Sequence, residues 1–212
     1  ADIYNRNNEH NNAVKALSDR GMKQANIHIL LAKETIDKCW DVLYSYDTDE
    51  RLAKMNAIVF LRLKPKGLRN SFHQVDLKEY KNLVDFALDN TIPIGFDSCS
   101  APMFIEIAKN RLDYDCLKVA IEPCESTLFS HYINVHGFAY PCSFCEKENL
   151  LSLDVLNCQD YVKDIWNHWS TESVREKILT YLDKNGCRSC FKYNLGDMGK
   201  RGEVCWNKNT IV

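Results

Sequence analysis

The hydrophobic and polar positions change rhythm several times along this 212-residue chain. Residues 1–8 are polar and Asn-rich, a loose lead-in, and a helix is predicted from about Asn11 to Arg20 with Gly21 as its stop. Ala25 to Leu31 alternates and carries β-favouring residues, which predicts a strand. The next segment places Ile36, Cys39, Trp40 and Leu43 on one helical face. Residues 57–63 form a second, more apolar strand, stopped by Lys64-Pro65-Lys66-Gly67. A helix over 76–89 would bury Leu77, Tyr80, Leu83, Val84 and Leu88. A short third strand, Ile92 to Phe96, leads to a helix around Met103–Asn110. Helix first, then three strand–helix units, is the rhythm of a parallel sheet with helical crossovers.

After residue 112 the rhythm breaks. Leu117 to Ile121 is predicted as a strand. Phe129–Asn134 and Phe138–Tyr140 flank Val135-His136-Gly137, a hairpin turn in which Gly supplies a positive φ. Two helices follow. The first carries Val162, Ile165, Trp166 and Trp169 on one apolar stripe, which makes both Trp residues core. The second starts near Ser173, whose Ser-x-x-Glu with Glu176 reads as a capping box, and buries Val174, Ile178 and Leu182. Gly186 ends it, immediately before Cys187-Arg188-Ser189-Cys190. There is no internal repeat.

Composition narrows the function classes. With 27 basic and 29 acidic side chains, there is no electrostatic reason to expect a nucleic acid or a membrane surface as partner. The longest apolar run, Ala57 to Leu61, is far short of the ~20 residues that cross a bilayer. Ten cysteines are many for this length, yet at roughly 5% they fall below a secreted disulfide scaffold. All but Cys39 and Cys99 lie after residue 115, and four sit in Cys-x-x-Cys pairs, which reads as metal ligation in a reducing compartment. With no secretory leader in view, the expected location is the cytoplasm. A first residue other than Met suggests a processed product or a fragment.

The spacing of the C-terminal cysteines carries the chemistry. Cys124-x12-Gly137-x4-Cys142 spans the hairpin, Pro141-Cys142 stands at its exit, Asp164-Ile165-Trp166-Asn167 opens the helical part, and Cys187-x-x-Cys190 follows. This ordering resembles the SPASM/Twitch auxiliary domains of radical SAM enzymes. The longer SPASM form continues Cys-x2-Cys-x5-Cys-x3-Cys. Here Gly196 and Lys200 stand at those places, so the resemblance is to the shorter Twitch form with one cluster. It implies one auxiliary [4Fe–4S] cluster on Cys124, Cys142, Cys187 and Cys190. Residue chemistry agrees, since a cubane takes four thiolates from separate segments and a hairpin plus a Cys-x-x-Cys turn can supply them. Two readings stay open beside it: a structural four-Cys zinc site using Cys142, Cys145, Cys187 and Cys190, and thiols without a metal. The 41 residues between those two pairs exceed zinc-ribbon spacing. Cys145 is the exchange candidate should one ligand be misassigned.

The first half fits the same resemblance. Residues 1–112 look like the last three β/α units of a partial (β/α) barrel, and 113–212 like the small α+β auxiliary domain. A complete barrel needs at least about 200 residues. The Cys-x3-Cys-x2-Cys that binds the cluster for S-adenosylmethionine cleavage is absent. The expectation is therefore the C-terminal part of an oxidoreductase or maturase, unable to cleave S-adenosylmethionine alone. Its implied partner is the missing N-terminal half or a separate subunit, and its substrate a peptide or small molecule. A zinc-stapled protein-interaction module is the alternative, and a cluster-bearing remnant without activity a third.

Other residues carry weaker expectations. Asn26 and His28 share one face of the first strand, opposite Ile27, Ile29 and Leu31, and on a barrel strand would face the cavity for S-adenosylmethionine and substrate. A hydrogen-bonded interior His is the plainer reading. Arg62, Lys64 and the Asp97-Ser98-Cys99 run lie at strand carboxyl ends, where α/β folds place ligands. Cys39 reads as core; Cys116, Cys158 and Cys205 stay unassigned. Gly196–Gly202 lacks phosphate-loop spacing.

Overall fold

A computed structural model describes residues 9–64, 71–121, 124–146 and 151–185. The chain is a mixed α/β protein that divides into two compact units, Ala1–Ser100 and Ala101–Val212. The division falls ahead of residue 112 and places the helix 101–108 with the second unit.

In the first unit, α1 (Glu9–Asp19) precedes β1 (Asn26–Leu31), α2 (Ile36–Ser45), β2 (Ala57–Arg62), α3 (Leu77–Asp89) and β3 (Ile94–Phe96). Gly21, at φ 91°, ends α1 in the left-handed conformation that glycine adopts without a Cβ clash. Asp76 caps α3 by accepting the Glu79 backbone N–H at 2.8 Å. The strands pair in parallel in the order β1-β2-β3, with Ile27 opposite Ile58, Ile29 opposite Phe60, and Ile58 opposite Ile94. The expected elements are present within a residue or two.

One sheet face holds the core. Ile27, Ile29, Leu31, Ile58 and Phe60 are buried there, and Arg62 with them. Both crossover helices lie over this face. Phe86 of α3 packs edge-on against Trp40 and Tyr44 of α2, with ring centroids 5.5 and 5.3 Å apart. Tyr80 of α3 is fully buried near Arg62, and burial raises its hydroxyl pKa well above the usual tyrosine value. The other face carries Asn26, His28, Leu30, Ala57, Val59, Leu61 and Gly95, none fully buried, with His28 exposed. Among the described residues, the sequential strand order with both crossover helices on one face differs from a doubly wound sheet, whose crossovers cover both faces. Barrel closure is not present among the described residues.

The second unit contains α4 (Ala101–Ala108), α5 (Tyr114–Leu117), β4 (Tyr132–Ile133), β5 (Phe138–Tyr140), β6 (Leu153–Asp154), a π-helical turn (Val162–Trp166) and α6 (Trp169–Asn185). The strands form an antiparallel sheet with β5 in the centre. Sequence reading did not anticipate β6, because two residues are too few to show a period.

Three expectations fail here for identifiable reasons. The segment Leu117–Ile121 is not a strand. It continues α5 into a 3-10 turn, Lys118–Ala120, with the Cys116 and Leu117 N–H groups donating to the Asp113 carbonyl and Val119 83% exposed. The stripe Val162–Trp169 is not one α-helical face. The Asn167 N–H donates to the Val162 carbonyl at 2.9 Å, an i→i+5 bond that inserts a residue into the register. Ile165 is then buried, whereas Val162 and Trp169 are each 58% exposed, so Trp169 is not core. Finally, α6 starts at Trp169 and not Ser173. The Ser170 N–H donates to His168 Nδ1 at 3.3 Å, and the Ser173/Glu176 pair lies inside the helix. Val174 and Ile178 are buried as expected.

Candidate metal centre

The hairpin is built by its own turn. The Asn134 side-chain oxygen accepts the His136 and Phe138 N–H groups, both at 3.0 Å, which is an Asx turn. Gly137 takes φ 77°, and a Cβ there would meet Leu156 Cγ at 2.4 Å. Tyr132 pairs with Tyr140, placing their rings 6.4 Å apart on one face. Pro141 and Cys142 follow. The Ser126 hydroxyl donates to the Pro141 carbonyl at 2.6 Å, tying the stretch after Cys124 to the hairpin exit. One buried hydrogen bond thus holds together two segments that each carry a cysteine.

Cys124 and Cys145 are buried, and half-buried Cys142 packs against the same cluster of Tyr140, Leu151, Val174 and Ile178. Cys142 and Cys145 Sγ stand 3.6 Å apart. The intervening 3-10 turn, Ser143–Cys145, is closed by the Cys145 N–H donating to the Cys142 carbonyl at 3.0 Å. Burial pushes the Cys124 thiol up to about 11; the Ser126 backbone N–H opposes this, and proximity to Cys142 reinforces it. Cys124 and Cys142, two of the four predicted ligands, thus share one apolar cluster with Cys145, and only Cys142 and Cys145 are in sulfur–sulfur contact among them. Cys187 and Cys190 lie outside the described residues. Among the described residues, no group of three or more His, Cys, Asp or Glu side chains could by itself hold a metal ion. The chemistry of the donors nonetheless fits a soft metal group: thiols converge in an apolar shell, and sulfur ligands select zinc or iron–sulfur over hard cations.

Beside the cysteines lies an aromatic–cationic clamp that the sequence did not reveal. His131 Nδ1 meets the Tyr161 hydroxyl at 3.0 Å, and its ring lies 4.8 Å from that of Trp166. Arg175 of α6 sits over Trp166, 5.1 Å from the ring centroid. It donates from Nε to the Thr127 carbonyl at 2.8 Å and from Nη2 to the Trp166 carbonyl at 2.9 Å. Thr127 is fully buried at φ 59°, a conformation rare for a β-branched residue, with its N–H bonded to the Ser130 carbonyl at 2.9 Å. The clamp ties the loop after Cys124 to the π-turn and α6. The contacts of His131 with Tyr161 and of Arg175 with Thr127 span 30 and 48 residues in sequence, so no local pattern announces them.

The barrel-end candidates scatter. Asn26 and His28 do share the less buried sheet face. Asn26 accepts from the Asn56 amide at 2.8 Å, and His28 is exposed, so it is not an interior histidine. Arg62 is buried on the helix-covered face, where burial lowers its pKa. Lys64 pairs with Asp97, which also accepts from the Ser100 hydroxyl. Cys99 is half-buried and Cys116 exposed. Cys39 is core: its thiol, pushed up to about 12 by burial, points at the Leu30 carbonyl 3.7 Å away. Cys158 points at the Val155 carbonyl at 3.1 Å, and Cys205 lies outside the described residues. Among the described residues, no helix is long and apolar enough to cross a membrane. No family model, curated protein or solved structure matches the chain.

Proposed function

We propose that this chain is the C-terminal portion of a radical SAM enzyme, with a Twitch-like second unit whose Cys124, Cys142, Cys187 and Cys190 hold one auxiliary [4Fe–4S] cluster. The observation that carries the reading is the meeting of Cys124 and Cys142 in one apolar cluster at the two ends of a glycine-turned hairpin. The parallel sheet adds support. On a partial barrel the inner face lines the cavity, and Asn26 and His28 stand together on the less buried face here. A bound cluster supplies one-electron transfer or a docking point for substrate.

The chain's own residues do the rest. Tyr140, Leu151, Val174 and Ile178 exclude water around the thiols. The Ser126–Pro141 bond holds the two ligand-bearing segments in place. Cys124 releases its proton on ligation. S-adenosylmethionine enters only with a complete barrel, so the partner is the missing N-terminal half or a subunit, and the substrate a peptide or small molecule. The reducing cytoplasm suits such thiols.

A second reading, a zinc-stapled interaction module, is favoured by one distance. Tetrahedral zinc with Zn–S of about 2.3 Å puts neighbouring sulfurs about 3.8 Å apart. The 3.6 Å between Cys142 and Cys145 is close to that edge.

Anaerobic reconstitution of the full chain with iron and sulfide separates the two. The first reading predicts one cluster's worth of iron and sulfide, a charge-transfer band near ~400 nm, and loss of both in Cys124→Ala. A colourless protein with one zinc, retained in Cys124→Ala and lost in Cys145→Ala, overturns it in favour of the second.

A further inference from the structure

We propose that Cys142 and Cys145 are an oxidation site: in the metal-free chain a hydroperoxide converts them to an intramolecular disulfide, which withdraws Cys142 from metal binding. The disulfide itself stands on thiol geometry; its effect on loading rests on the reading of Cys142 as a ligand. Three observations converge on the pair. The sulfurs are 3.6 Å apart, whereas a disulfide needs about 2.05 Å, so about 1.5 Å of closure is required. Side-chain rotation can supply that closure, because the backbone is already bent. The 3-10 turn and its Cys145 N–H bond to the Cys142 carbonyl hold the two residues on one tight loop. The pair is also unequal in access, with Cys142 half-buried and Cys145 fully buried.

That inequality orders the chemistry. The Cys142 sulfur attacks the peroxide oxygen, forming an S–O bond and breaking the O–O bond. The other oxygen leaves and, taking up the thiol proton, departs as water, or as an alcohol from an organic peroxide. The Cys145 sulfur then attacks Cys142 sulfur. The S–S bond forms, the S–O bond breaks, and the hydroxyl leaves with the Cys145 proton as a second water. Two sulfurs are each oxidised by one electron equivalent, and the two peroxide oxygens are reduced. Cys145 is thus the resolving thiol, set beside its partner before any oxidant arrives.

The test uses the full chain, reduced and stripped of metal. Stoichiometric hydrogen peroxide is expected to remove two titratable thiols, and peptide mapping to find a Cys142–Cys145 peptide lighter by two hydrogens, restored by dithiothreitol. In Cys145→Ser the reaction should stop at a sulfenic acid on Cys142 that dimedone captures. Phenylarsine oxide, which bridges adjacent dithiols, should bind the unmutated chain at these two residues, so the geometry is checked without a variant. Full retention of both thiols, pairing of Cys142 with another cysteine, or no arsenical bridge overturns the proposal. The oxidised chain should take up iron and sulfide at least tenfold more slowly than the reduced one; equal uptake overturns the withdrawal of Cys142. A reduced chain that forms the disulfide yet never takes up iron counts against the cluster reading alone.

Discussion

Burial, joined by the Arg175 guanidinium opposing a second positive charge, holds the His131 imidazole down to about 4. Tyr161 and Trp166 complete its surroundings and offer no negative charge at neutral pH. Between about pH 4 and the ordinary histidine value near 6.5, the unfolded chain therefore binds more protons than the folded one. Stability contributed by the neutral ring is full above that window and is lost as the pH falls through it. Denaturation of the full chain from pH 7 to pH 4.5 should show a loss on the order of 1 kcal/mol, reduced by the partial exposure of the ring, that His131→Phe removes. An unchanged slope in the variant would contradict the burial. No neighbouring residue marks His131 in the sequence, because its partners come from Tyr161, Trp166 and Arg175. Cys39 is the opposite case, since its place on an apolar helical stripe already identifies it as core.

At the scale of elements, the hairpin rests on Gly137. Its φ of 77° disfavours any side chain, and a Cβ would overlap Leu156. Gly137→Ala is expected to destabilise the second unit by roughly 1–2 kcal/mol, the cost of the left-handed backbone, because the exposed Leu156 side chain can turn away from a Cβ. Adding Leu156→Ala should therefore recover little of that loss in urea denaturation. A large rescue would mean that Leu156 is held against the turn. The positive φ was legible from Val135-His136-Gly137 between two apolar runs. The overlap was not, because β6 and the loop after it are brought beside the turn by tertiary pairing. The same limit explains the failed stripe. A 3.6-residue period assumes an unbroken α-helix, and a single π-turn at Val162–Trp166 shifts the residues that follow.

For the molecule as a whole, the sheet of the first unit makes a two-faced prediction. His28 and Ile29 are adjacent on β1 but stand on opposite faces, one exposed and one fully buried. His28→Ala should change stability by less than about 0.5 kcal/mol, whereas Ile29→Ala should cost about 2–5 kcal/mol. Equal losses in chemical denaturation would mean that both faces are packed. The strand–helix rhythm of the first 100 residues, the buried Cys39 and Leu43 of α2 and the glycine turn of the hairpin were determined by the sequence itself, because side-chain period and turn chemistry are local properties. The spacing of Cys124, Gly137 and Cys142 likewise announced thiols on a hairpin. Only the tertiary structure decided that both crossover helices lie on one sheet face, that Cys145 stands beside Cys142, and that Arg175 closes a clamp on the loop after Cys124. Those outcomes depend on which distant surfaces exclude water together, and contact at long range leaves no period in the chain.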